Sequence, residues 1–101
     1  MWNRLLAILL CTVSPALAAK TIQVMGNMTL DPTQHYVATE FHIGKSSTTL
    51  DCQGAVLDGQ DKAQIGVRIM TDGEPLHDVT IQNCHFKNYT SGAVRVTWNG
   101  D

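Results

Sequence analysis

The chain has 101 residues, a formal net charge of −2, 16% charged residues and 44% hydrophobic ones. That length allows a single domain of ordinary size and excludes a large two-domain enzyme. The weakly acidic balance gives no general electrostatic reason to bind nucleic acid or an anionic membrane.

Residues 1–19 read as a secretory signal peptide. Arg4 supplies the positive start, residues 5–13 are an apolar run, Ser14-Pro15 breaks the helix, and Ala16-Leu17-Ala18 is a small-residue cleavage site. The run is too short to span a bilayer, which takes about 20 residues. An uncleaved anchor is the alternative reading, and bulky Leu10 argues against lipidation at Cys11. Export to the periplasm or the outside is expected, with no membrane attachment after cleavage, and the A-x-A style suits a bacterium. Cys11 leaves with the leader, so Cys52 and Cys84 remain in an oxidising compartment. A disulfide between them and buried thiols at equivalent repeat positions are both open.

After Lys20 no segment has helical periodicity. Apolar and polar residues alternate in short runs: Thr21–Val24, Tyr36–Ala38, Phe41–Ile43, Thr49–Cys52, Ala55–Leu57, Ile65–Ile69, Val79–Gln82 and Ala93–Val96. Turn chemistry separates them, as at Asp31-Pro32, Gly44-Lys45-Ser46-Ser47, Asp58-Gly59, Asp72-Gly73 and Ser91-Gly92. The chain is all-β by this pattern, and strand spacing alone permits a sandwich, a small barrel or a solenoid.

An internal repeat selects the solenoid. Residues 49–59 lead to Ile65-Gly66-Val67-Arg68-Ile69, and residues 80–88 lead to Gly92-Ala93-Val94-Arg95-Val96. Leu50 aligns with Ile81 at an offset of 31, and Val67 with Val94 at 27. Inward Leu50 and Ile81 leave Asp51 and Gln82 pointing out. Cys52 matches Asn83 at one offset and Cys84 at the next, so the register of the cysteines stays ambiguous.

The stretch "TTLDCQGAVLDGQ", then "IGVRI", then "VTIQNCHFKNYTSGAVRV", resembles right-handed parallel β-helix repeat proteins. That group includes pectin-lyase-like carbohydrate enzymes and the periplasmic β-helix accessory proteins named for copper delivery to nitrous oxide reductase. The resemblance covers about residues 48–96, and implies rungs over 48–101 with an N-terminal strand and cap region over 20–47. It implies the N-terminal portion of such a fold, about two rungs, with an open C-terminal edge suited to further rungs or to self-association. By the same resemblance the context is recognition or processing of an anionic polysaccharide. A non-catalytic structural or envelope accessory module, or a fragment without independent function, is the alternative.

Alternation puts Arg68 and Arg95 outward from equivalent strands, one above the other. Two like charges about 5 Å apart are unfavourable unless an anion sits between them, which makes the pair the candidate contact for a uronate. Pairing of each arginine with a local acid, such as Asp51 or Asp78, is the competing reading. Asp58 and Asp61 share one loop, yet Asp58-Gly59 is an ordinary turn. No catalytic motif is identifiable: the acidic and basic signatures of polygalacturonases, alginate epimerases and pectate lyases are missing, so any lyase, hydrolase or epimerase chemistry has no assigned residue. A copper site needs several converging ligands. His35, His42, His77 and His85, with Met25, Met28 and Met70, show no such spacing, and neither a metal nor another cofactor is expected.

Overall fold

The computed structural model describes residues 19–71 and 73–97. Residues 1–18 of the leader read over 1–19 lie outside the described residues. Among the described residues ten strands form: β1 (Lys20–Val24), β2 (Met28–Thr29), β3 (His35–Val37), β4 (Thr39–Ile43), β5 (Thr48–Asp51), β6 (Val56–Asp58), β7 (Ile65–Met70), β8 (Val79–Gln82), β9 (His85–Lys87) and β10 (Gly92–Thr97). Among the described residues there is no helix, and so none long and apolar enough to cross a membrane.

Every strand pair is parallel, and the strands fall into three sheets with orders β1-β4-β7-β10, β2-β5-β8 and β3-β6-β9. The chain visits the three sheets in turn, three full circuits and then β10. Parallel neighbours need a long crossover. Here the strands of the other two sheets supply it, in place of a helix.

Leu50 lies beside Ile81, Val67 beside Val94 and Arg68 beside Arg95. The stretch 20–47, expected as a strand and cap, supplies β1 to β4, which pair in register with the later strands. Its circuit is short. Partners in the first two circuits are 19 to 22 residues apart, against 26 to 31 between the second and third. The difference lies in the corners. Ala38 alone joins β3 to β4, at φ 48, whereas residues 59–64 join β6 to β7.

Corner chemistry repeats where the loops are of similar kind. Asp51 Oδ1 accepts from the Gln53 N–H at 2.9 Å, and Asp58 Oδ1 from the Gln60 N–H at 2.9 Å. These are Asx turns, which let the next residue enter the left-handed region; Gln53 and Gln60 both sit at φ 53. In the following circuit Asn83 and Asn88 occupy that region themselves, at φ 60 and 59. Their amide Nδ2 groups reach back to Asp51 and Asp58 at 3.1 and 3.0 Å.

The core runs through the middle of the three sheets. Val24, Phe41, Ile43 and Val67 from the first sheet meet Leu50 from the second and Leu57 from the third, all fully buried. Tyr36 packs edge-on to Phe41, and Phe86 to Tyr89. Gly66 is required by close approach: a Cβ there would stand 2.6 Å from the Phe86 ring and 2.8 Å from the Ala93 carbonyl oxygen.

Candidate functional site

The first sheet is the widest surface, and strict alternation decides which side chains it presents. Over β4 the residues Thr39, Phe41 and Ile43 are buried, so Glu40 and His42 face out. Parallel register then sets His42 beside Arg68 and Arg68 beside Arg95, one row crossing three strands.

Glu40 is the centre of this face. Its Oε2 accepts from the Gln64 and Ile65 backbone N–H groups at 3.1 Å each, fixing the corner that feeds β7. Its Oε1 takes His42 Nε2 at 3.1 Å and stands 3.6 Å from Arg68 Nη2. Burial pushes this carboxyl up, but the hydrogen bonds from His42, Ile65 and Gln64 and the charge of Arg68 together outweigh it. The net shift is downward, so Glu40 is ionised at neutral pH. An ionised carboxylate only accepts, which makes His42 Nε2 the protonated ring nitrogen whenever the imidazole is neutral.

Arg68 therefore has a local acid, and it is Glu40 in place of Asp51 or Asp78. Asp51 is taken by Gln53, Gln82 and Asn83. Asp78 lies against His77 at 3.0 Å. Arg95 is exposed, and among the described residues no carboxylate pairs with it. The row thus carries one neutralised and one uncompensated guanidinium.

Asp51 and Asp58 serve the corners. Asp58 is held down by its bonds from Asn88 and Gln60, aided by the charges of Lys87 and His35, and Asp51 by Asn83, Gln53 and Gln82. A carboxyl whose pKa is lowered is a poor general acid near neutrality. Asp61 sits at φ 58 in the same loop as Asp58, exposed, with its backbone N–H bonded to the Asn88 carbonyl.

Cys52 and Cys84 are joined as a disulfide, Cα atoms 4.9 Å apart, tying the β5–β6 corner to the β8–β9 corner one circuit on. The histidines disperse: His42 on the first sheet, His77 in the long β7–β8 connection, and His35 and His85 in one exposed column of the third sheet with Val56 between them. Among the described residues no group of three or more His, Cys, Asp or Glu is placed to hold a metal.

Two residues with structural influence on the face were not singled out from the sequence. Glu40 lies in the short first-to-second circuit spacing, outside the repeat; the alternation Thr39-Glu40-Phe41-His42-Ile43 was the signal for its outward position. Tyr89 looks like a loop residue, yet its hydroxyl donates to the Thr39 carbonyl at 2.8 Å, and burial, with Asp58 and Glu40 nearby, pushes its phenol up to about 12. Beside this row an open groove of about 690 Å³ is lined by Gln23, Met25, His42, Gly44, Met70 and Thr97 among others. Comparison with known proteins finds no matching family model, no matching curated protein and no matching solved structure.

Proposed function

We propose that the chain forms successive coils of a right-handed parallel β-helix, is exported, and recognises an anionic polysaccharide on the outer face of its first sheet. Three parallel sheets visited in strict rotation support the coil reading, and right-handed crossovers are the rule between parallel strands. The disulfide supports an oxidising destination.

The observation that carries the binding reading is the register of Arg68 and Arg95 on adjacent strands, with Glu40 compensating only the first. Strands stand about 4.8 Å apart, so a uronate carboxylate seated over Arg95 relieves the repulsion and gains a charge-assisted contact. Recognition is favoured over processing because Asp51 and Asp58 are committed to corner hydrogen bonds and kept ionised. A purely structural accessory role is the second reading, favoured by the existing Arg68–Glu40 contact, which already neutralises half of the row.

The test is binding of the chain to polygalacturonate and to neutral dextran at low and at physiological salt, with release of reducing ends measured in parallel. Selective, salt-sensitive binding to polygalacturonate without cleavage is expected. Arg95→Gln should weaken it about ten-fold or more, as for one lost charged hydrogen bond, and Arg68→Gln less. Equal affinity for both polymers, or an unaffected Arg95→Gln variant, would leave the structural role.

A further inference from the structure

We propose that the polysaccharide met by the outer face of the first sheet is a heteropolymer of low charge density, with one uronate seated over Arg95 and uncharged sugars over Arg68, His42 and Gln23. The proposal rests on the polysaccharide reading and narrows its substrate class, from any polyuronate to one whose acidic units are separated by neutral ones.

Register builds the row. Gln23 pairs with His42, His42 with Arg68 and Arg68 with Arg95, so one outward side chain from each of the four strands falls into a line across the sheet. Neighbours on such a line stand about 4.8 Å apart. Among the residues of β1, β4, β7 and β10 the other fixed cation is Lys20, which lies in the row of buried Thr39 and not in this one. The one acid of these strands is Glu40.

Glu40 decides what each position holds. Its Oε1 is 3.6 Å from Arg68 Nη2. A ligand carboxylate bonded to that nitrogen would stand at most about 6.4 Å from Oε1, where repulsion cancels much of the attraction to Arg68. An uncharged sugar avoids this, because its hydroxyl accepts from the same guanidinium and brings no charge. His42 is likewise committed to Glu40 through Nε2, and in the neutral imidazole Nδ1 is then an acceptor for a hydroxyl. Gln23 is exposed and offers an amide donor and acceptor. Arg95 differs from all three. Its strand lies two spacings from that of Glu40, about 9.6 Å, beyond the screening length of about 8 Å at physiological salt. Among the described residues no carboxylate pairs with it. The row therefore has one place for an anion and three for hydroxyls.

The experiment compares, by calorimetry at low salt, polygalacturonate, the same polymer with about half of its carboxyls reduced to primary alcohols, and the fully reduced polymer. The half-reduced polymer should bind about three-fold tighter than the intact one, and the fully reduced polymer should not bind measurably. Glu40→Gln removes the charge, keeps an acceptor for the backbone at residues 64–65, and should bring the two acidic polymers level. Gln23→Lys, at an exposed position, adds a cation to the neutral end of the row. It should raise affinity for intact polygalacturonate more than for the half-reduced polymer, and it reads the same claim if the Glu40 variant fails to fold. Affinity that falls steadily with reduction, or a Gln23→Lys gain no larger for the intact polymer, would overturn the low-charge proposal and leave the anionic reading standing. Equal binding of all three polymers would remove the anionic reading itself, and this proposal with it.

Discussion

The second and the last circuits follow the same alternation and differ in what lies over them. Phe41, Ile43, Leu50 and Leu57 are fully buried. Val79, Ile81 and Phe86, which pair with buried Thr48, Leu50 and Leu57, are only half buried, and Val94 and Val96, which continue the rows of Val67 and Ile69, are 45% and 63% exposed. The strand's own pleat decides which way a side chain points. Its burial depends on the next circuit. In a stack of this kind equal residues contribute unequal stability, set by neighbours on both sides.

The largest break of that comparison is Phe41→Ala, which should cost about 3–5 kcal/mol as a buried aromatic truncation. Val96→Ala should cost well under ~1 kcal/mol, since little of it leaves water on folding. Denaturant titration of both variants reads the difference; equal losses would mean that the outer circuit is covered. Next in size is the Cys52–Cys84 link, which ties a buried corner to a half-exposed one across 32 residues. Its removal by Cys52→Ala with Cys84→Ala should cost about 3–4 kcal/mol on chain-entropy grounds, and loosen the last circuit more than the first two. An unchanged midpoint would contradict a role for the link in holding the outer circuit.

Acid should separate the regions more gently. Asp51 and Asp58 carry carboxyls lowered by side-chain amides from the third circuit, Asn83 and Asn88. A lowered carboxyl contributes stability that is full above its ordinary value of 3.8 and is lost as pH falls through the lowered folded value. Melting temperature should therefore fall below about pH 4, and Asn83→Ala should flatten that fall. A profile steepest above pH 6, where histidine titrates, would point elsewhere.

Much of this fold is visible in the sequence where apolar and turn residues repeat. The offsets from Leu50 to Ile81 and from Arg68 to Arg95, 31 and 27, are the observed register; the corners after β5 and β6 are four and six residues long and each is two residues shorter one circuit later, which accounts for the difference. The first circuit is hidden since single-residue and three-residue corners at Ala38 and 25–27 shift its spacing. The site was legible only in part for the same reason. Arg68 and Arg95 lie within the repeat and are seen; Glu40 lies before it, on β4, and nothing but a known register sets it beside β7. The bond from Asn83 to Asp51 crosses circuits and needs the stacking to be known.

Amide hydrogen exchange, residue by residue along the first sheet, tests the stacked-circuit account most directly. β4 lies between two paired strands, while β10 has a partner on one side only among the described residues. The account predicts slow exchange through Phe41–Ile43, slower than at Val94 and Val96 by the largest margin in the chain. Protection at β10 equal to that of β4, or fast exchange at Phe41, would contradict it.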